Sequence, residues 1–335
     1  MENTNAKLVE SIMTQTDKKR VIIIDALNMF LRAYIVDPSL SSNGQPIGGL
    51  KGSIKILQKL VRISQPDSIV IVWDGPNGSR KRKTMDKNYK AGRKPIRLNR
   101  AFHNLTDNEE LQNRIWQQTR VIEYLNEMPV VQIMLPEIEA DDVISHVSQL
   151  SHYDGWQKVI ISNDKDFLQL CDDETVVYRP TVDVLLNKVR IVDEYGIHPT
   201  NMALARAIAG DTSDNLPGIK GAGLATIKKR LSFLASEKDY TIQEVIEFCE
   251  NSANKLKFFT GIVEGREIIE HNYRMMQLYS PMLSINSKDF VKTAVVDFEC
   301  SFNKTAIIKK MREDGFGELN WEELRTRLNN IAVSC

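Results

Sequence analysis

Val21-Ile22-Ile23-Ile24-Asp25 is a run of β-branched residues that ends on a carboxylate, and the pattern returns at Ile69-Val70-Ile71-Val72-Trp73-Asp74. Short apolar runs without polar alternation suit strands covered on both faces. Val130-Val131-Gln132-Ile133-Met134 and Val159-Ile160-Ile161 repeat the theme, with helix-length segments at Ile47 to Ile63 and Leu111 to Asn126. This rhythm predicts an α/β fold, a mostly parallel central sheet with helices on both faces. Beyond Pro199 the strand signals stop, and the chain reads as helical to its end except for a β-rich patch from Phe290 to Phe298. The expected organisation is a core over 18–198, a helical region over 199–280 and a C-terminal extension over 281–335. In that extension Trp321 and Leu324 fall on an amphipathic helix expected to pack on the body.

Composition narrows the class. The 335 residues carry 44 Lys+Arg against 44 Asp+Glu, with 42% hydrophobic and 26% charged residues, which excludes wholesale disorder and a fibrous repeat. No fixed period recurs, so a solenoid is excluded as well. Aliphatic runs such as Val21 to Ile24 fall far short of the ~20 residues of a membrane span. The N-terminal stretch is polar, and a cytoplasmic protein without membrane contact is expected. Cys171, Cys249, Cys300 and Cys335 form no CxxC pair, which speaks against a zinc ribbon and a disulfide framework.

The neutral total hides local asymmetry. Asp25 and Asp74 directly follow apolar runs, Asp164 and Asp166 come just after another, and such positions lie at the carboxyl edge of an open sheet, where ligands bind. Glu139-Ala140-Asp141-Asp142 opens a helix after Pro136, and Asp211-Thr212-Ser213-Asp214 ends one that begins near Thr200. Each acid alone has an ordinary reading as a cap or turn residue, Asp214 most of all. Nine converging carboxylates repel and raise one another's pKa. The Lys and Arg side chains read as too far along the chain to neutralise all nine, so divalent cations are expected. All-oxygen ligation favours Mg²⁺ or Mn²⁺ over zinc, and the number of acids suggests two ions. From Ser79 to Arg100 stand ten basic residues against one acid, Asp86. Such a run is ordinarily a solvated or mobile face; over a nest of acids it would hold a polyanion.

Asp25, Trp73-Asp74-Gly75, Glu139-Ala140-Asp141-Asp142, Ser162-Asn163-Asp164-Lys165-Asp166-Phe167-Leu168-Gln169-Leu170 and Gly210-Asp211-Thr212-Ser213-Asp214-Asn215-Leu216-Pro217-Gly218 occur in that order. Together, from about Val21 to about Leu234, they resemble the structure-specific 5′ nuclease family. This comprises bacterial and bacteriophage 5′→3′ exonucleases, flap endonucleases and the phage ribonuclease H type, with a PIN-like core. The resemblance implies that Asp25, Asp74, Glu139 and Asp141 form the tighter metal site. Asp164, Asp166, Asp211 and Asp214 would form the second, with Asp142 an additional acid. It implies hydrolysis of phosphodiester bonds at 5′ ends, flaps and single-strand/duplex junctions, with two Mg²⁺ ions that Mn²⁺ can replace. Primer removal and repair are the implied roles, with RNA/DNA hybrids as a further substrate. A single-strand-binding protein or other replication proteins are implied partners.

The same resemblance assigns Tyr89-Lys90-Ala91-Gly92-Arg93 to the family's arch, at about 79–110, with Lys90 and Arg93 on the scissile phosphate and Tyr89 beside DNA. Like charges along the arch predict mobility. Pro217-Gly218-Ile219-Lys220-Gly221-Ala222-Gly223 reads as a helix–hairpin–helix. There Gly218, Gly221 and Gly223 let the backbone approach a phosphate, Lys220, Lys228 and Lys229 add contacts, and K⁺ is an implied ligand. Arg32 matches a phosphate contact, but Leu31 stands where many relatives carry a base-stacking aromatic; Tyr34 reads as core. Two rivals are a non-catalytic branched-DNA-binding protein on the same scaffold and a PIN-type single-strand ribonuclease. Repelling acids facing DNA speak against the first, and the glycine hairpin against the second. A stand-alone, monomeric enzyme is expected.

Overall fold

The computed structural model describes residues 18–93, 98, 105–252, 256–317 and 322–334. Its first half alternates strands and helices: β1 (Arg20–Asp25), α1 (Ala26–Val36), α2 (Gly48–Ser64), β2 (Ser68–Trp73), α3 (Arg80–Met85), α4 (Asp107–Leu125), β3 (Val131–Met134), α5 (Ala140–Ser148), β4 (Gln157–Ile161), β5 (Thr175–Arg179) and β6 (Val184–Leu186). Helices follow: α6 (Lys188–Tyr195), α7 (Pro199–Ala209), α8 (Leu224–Arg230), α9 (Ile242–Glu250), α10 (Lys257–Glu264), α11 (Arg266–Met276), α12 (Ile285–Val296), α13 (Lys304–Glu313) and α14 (Glu322–Ser334).

The six strands form one sheet in the order β3-β2-β1-β4-β5-β6. All neighbours pair in parallel except β5 with β6. Because β1 sends its chain first toward β2 and β3, and β4 then returns to its other side, the switch point of the sheet lies between β1 and β4. Asp25 is in register with Val72, and Ile24 with Ile161, so the strands end nearly level.

Side chains alternate across the sheet. Val21 and Ile23 join a core with Val143, Ile144 and Val147 of α5, which continues into α7 to α11. Ile22 and Ile24 join the opposite core with Phe30, Leu57 and Tyr124. Both cores exclude water, which explains why these strands read as unbroken apolar runs.

Ile307, Met311, Phe316, Leu324, Leu328 and Ile331 enter the second core, so the C-terminal helices pack on the body. Asp314 anchors them, accepting from Arg120 Nε at 2.8 Å and Tyr124 Oη at 2.6 Å. Trp321 lies outside the described residues. The patch expected to be β-rich is α12: Val291 and Val295 are buried one helical turn apart, and Ser284 caps the helix by accepting from Ser287 N–H at 3.1 Å. Strands β5 and β6 have no counterpart among the strands anticipated from sequence. Cys171 and Cys249 are free thiols, whereas Cys300 carries a disulfide that the cysteine spacing did not suggest. No helix among the described residues is long and apolar enough to cross a membrane.

Candidate active site

Asp25 ends β1, Asp74 follows β2, and Asp164 with Asp166 follows β4, all at the carboxyl edge of the sheet. Two of these acids are also caps. Asp25 accepts from Asn28 N–H at 3.0 Å, closing the first turn of α1, and from Ser162 Oγ at 2.9 Å. Asp74 accepts from Ala140 N–H at 2.9 Å, the first residue of α5, and so draws Glu139 and Asp141 to the same edge. The capping role and the site role therefore coincide. Asp164 Oδ1 accepts from Asp166 N–H at 2.9 Å. Asp211 and Asp214 sit in a loop closed by Asp211 and Leu216, whose N–H groups each donate to the other's carbonyl at 2.9 and 2.8 Å.

Five of the nine acids have cationic partners among the described residues, so Lys and Arg reach more of the set than their distance along the chain suggests but do not neutralise all nine. Glu139 accepts from Lys90 Nζ at 2.6 Å, Arg82 Nη1 at 2.9 Å, Tyr89 Oη at 3.1 Å and Ser79 Oγ. Asp142 pairs with Arg82 at 2.6 Å. Arg206 bridges Asp166 at 2.8 Å and Asp211 at 2.6 Å. Asp214 pairs with Arg93 and accepts from Tyr89 Oη at 3.0 Å. Among the described residues, no Lys or Arg makes an ion pair with Asp25, Asp74, Asp141 or Asp164.

The pKa shifts follow this line except at Asp166, which rises despite its Arg206 partner. Burial pushes the Asp25 carboxyl up to about 7; the Asn28 and Ser162 hydrogen bonds oppose the rise, and the charges of Asp74 and Asp164 add to it. Asp74 is raised chiefly by burial, and Asp141 is raised well above the carboxylate range by burial and then by Asp164. Burial and Asp164 also lift Asp166 to about 7, against the pull of Arg206. Glu139 runs the other way: burial would raise it, but Lys90 and Arg82 hold it below its ordinary value. Asp211 is likewise held low, by Ser213 and Arg206 against burial.

Four oxygen-donor carboxylates that make no ion pair among the described residues, three of them shifted upward, are suited to hard divalent cations, which reverse such shifts. No three His, Cys, Asp or Glu side chains among the described residues are drawn together as a ready ligand group. The donor chemistry fits Mg²⁺ or Mn²⁺.

The basic segment is docked rather than free over its described length. Lys90 adopts the left-handed conformation, φ 56°, and its N–H donates to the Asp214 carbonyl at 3.0 Å. Tyr89 is buried, its hydroxyl spent on Glu139 and Asp214, so it presents no ring to DNA. Lys94, Arg97 and Arg100 lie outside the described residues. Arg32 lines a cavity of about 240 Å³ with Lys55, Lys59 and Tyr178, beside α1. Leu31 packs at the margin of the core and Tyr34 lies fully within it.

In the hairpin, Gly218 serves packing: a Cβ there would stand 1.9 Å from the Ala209 carbonyl oxygen. Gly221, φ 79°, needs the left-handed region, and Gly223 borders open space. Lys220 and Lys229 are exposed. Lys228 is committed elsewhere, donating to the Asp193 and Glu194 carbonyls at 2.9 and 3.1 Å, where it caps α6. Sequence reasoning gave no role to Arg82 or Arg206. Arg82 was hidden in a basic run, while Arg206, one turn and a half before Asp211 on a helix ending at the site, left a legible signal.

Residues 20–196, more than half of the chain, match the family model of the 5′-3′ exonuclease N-terminal resolvase-like domain. The chain belongs to the 5′-3′ exonuclease family. The 5′-3′ exonuclease of Aquifex aeolicus is 27% identical over 271 residues, covering 79% of this chain and 83% of that protein. DNA polymerase I of Caldicellulosiruptor bescii is 27% identical over 315 residues, 86% of this chain and 35% of the polymerase. The exonuclease-family chain thus spans about a third of that relative. Among solved structures, T5 5′-exonuclease with divalent zinc ions bound superposes with a TM-score of 0.62 at 16% identity, covering 88% of this chain and 98% of that one. A bacteriophage T5 flap endonuclease in complex with DNA and metal ions gives 0.62 at 14% identity, covering 94% and 100%. These likenesses bear out the α/β class with its mostly parallel sheet.

Proposed function

We propose that this member of the 5′-3′ exonuclease family is a structure-specific 5′ nuclease that hydrolyses phosphodiester bonds at 5′ ends, flaps and single-strand/duplex junctions. The observation that carries the reading is the set of carboxylates Asp25, Asp74, Asp141 and Asp164 at the sheet edge, which make no ion pair among the described residues, with Lys90 and Arg93 on the neighbouring acids Glu139 and Asp214. Asp25, Asp74, Glu139 and Asp141 would hold one divalent cation, and Asp164, Asp166, Asp211 and Asp214 a second; Mg²⁺ is the natural ion and Mn²⁺ its substitute. When bound, such ions supply charge neutralisation for the phosphate and water activation. The chain's own residues do the rest. Lys90 and Arg93, now on Glu139 and Asp214, are near enough to the carboxylates to exchange one anionic partner for a phosphate. Tyr89 holds Glu139 and Asp214 in fixed relation. Exposed Lys220 and Lys229 bind duplex backbone without reading bases.

The branched-DNA substrate rests on two further supports: the basic segment over the acids, and the fold shared with a flap endonuclease described in complex with DNA. RNA/DNA hybrids belong to the same substrate class, and primer removal and repair are the processes this activity serves. The test is product analysis on a 5′-labelled flap duplex with and without Mg²⁺. Asp74→Asn and Asp166→Asn should abolish cutting while duplex binding stays measurable. Full cutting by both variants, or by wild type in chelator, would defeat the reading.

A further inference from the structure

Arg82 belongs to a basic run that reads as solvent-facing, yet it is 4% exposed, and its partners Glu139 and Asp142 are each 2% exposed. Every arm of its guanidinium is occupied. Nη1 donates to Glu139 Oε2 at 2.9 Å and to Asp142 Oδ2 at 2.6 Å, Nη2 to Asp142 Oδ1 at 3.4 Å, and Nε to the Met275 carbonyl at 2.9 Å. Asp142 is equally committed, since Oδ1 also accepts from Met282 N–H at 2.8 Å. One side chain thus ties α3 to the start of α5 and to the last turn of α11.

Burying three charges is costly, and apolar residues of the same volume would often do as well for stability alone. What apolar residues cannot do is hold a carboxylate oxygen at a set place. Arg82 and Tyr89 take Oε2 of Glu139, which leaves Oε1 to Lys90 and Ser79 on the other side. Arg82 also fixes the end of α3 a few residues before Lys90, and so sets where Lys90 meets Glu139. We infer that Arg82 is a positioning residue that orients Glu139 and Lys90 toward the cation and phosphate sites, and that Asp142 is its buried counter-ion rather than a metal ligand.

Three full-length variants test this by thermal melting, Mn²⁺ binding calorimetry, and kcat and KM on a 5′-flap duplex. Arg82→Lys keeps the charge but loses the fork, and should fold with a lowered melting temperature. Its Mn²⁺ affinity should fall at least tenfold, and its kcat at least tenfold with KM within twofold. The paired substitution R82M/D142L removes the charges together and should fold, yet lose Mn²⁺ affinity to the same extent. Asp142→Asn should bind the same number of Mn²⁺ ions as wild type. Wild-type kcat and Mn²⁺ affinity in R82M/D142L would show Arg82 to be structural only, and loss of one Mn²⁺ in Asp142→Asn would make Asp142 a ligand; either result overturns the inference. If Arg82→Lys does not fold, R82M/D142L decides the first question. The kcat arm rests on the nuclease reading and the Mn²⁺ arm does not. A wild-type chain that cuts no flap, with Mn²⁺ affinity still lost in R82M/D142L, would sink the nuclease and leave this assignment standing.

Discussion

Lys90 Nζ stands 2.6 Å from Glu139 Oε1, so a residue that the family resemblance places on the phosphate already sits on a carboxylate of the proposed site. Glu139 is 2% exposed, and Lys90 with Arg82 holds it below its ordinary pKa against the upward push of burial. Such a group adds stability above its unfolded value, and that contribution is lost as pH falls through its folded value. Lys90→Ala should therefore begin acid unfolding at higher pH than wild type. On a 5′-flap duplex it should lower kcat by about 10²-fold, the scale for removing a donor aimed at developing charge, with a smaller change in DNA affinity. Parallel acid titrations by circular dichroism and single-turnover assays check both. Unchanged acid unfolding would show that the ion pair contributes nothing to the fold.

Asp141 makes the opposite case. Its carboxyl is raised by burial and by Asp164, and Asp25 is pushed up to about 7. When an acid's folded pKa exceeds its unfolded one, the native state binds the extra proton. Stability then falls as pH rises from the unfolded value of about 4 through the folded value. The protein in chelator should melt lower at pH 8 than at pH 5, and Mn²⁺ should raise the melting temperature more at pH 8, where the carboxylates are free to ligate. Asp141→Asn should melt higher than wild type in chelator at pH 8, gain less at pH 5, and lose most of the Mn²⁺ stabilisation. Scanning calorimetry at the two pH values decides it; a variant less stable than wild type at pH 8 would refute the argument.

Arg206 bridges Asp166 and Asp211, and all three side chains are mostly buried. Removing the shared cation leaves two carboxylates facing each other and Asp164, with little water to screen them. Arg206→Ala should lose about 3 kcal/mol in urea unfolding, as for other broken buried pairs. Arg206→Lys can contact one acid but not both and should recover only part. A loss below about 1 kcal/mol would place the bridge among screened surface pairs.

The sheet and its acidic edge were legible because buried parallel strands leave unbroken apolar runs, and each of the runs at Val21, Ile69 and Val159 is followed within a few residues by Asp. Strands β5 and β6 offer only the three-residue runs Val176-Val177-Tyr178 and Val184-Leu185-Leu186, with no acid directly after either to mark them. Phe290 to Phe298 misled because β-branched residues serve a helix as well when Val291 and Val295 share one buried face. The ion pairs were the least visible part. Arg82 lies 57 and 60 residues from Glu139 and Asp142 in sequence, and only the closure of α3 onto α5 brings them together. A charge run cannot announce which of its members turns inward.

The three hairpin lysines separate by what their ammonium groups touch. Lys228 donates to the carbonyls of Asp193 and Glu194 at the end of α6, and its aliphatic stem lies where a Cβ on Gly196 would meet it at 2.4 Å. Lys220 and Lys229 are exposed. A lysine that neutralises a phosphate releases a counterion, so each one removed should flatten the plot of log affinity against log salt by about 1. Lys220→Ala and Lys229→Ala should each show that flattening with duplex DNA, with affinity reduced evenly across sequences. Lys228→Met keeps the stem, forgoes the cap and should leave the salt slope at the wild-type value while lowering the melting temperature slightly. Fluorescence anisotropy between 50 and 200 mM salt, on the order of the range where such slopes are read, distinguishes them. A slope reduced by Lys228→Met and untouched by the other two would mean that the capping contact gives way to DNA, and that the duplex crosses the hairpin on the α6 side.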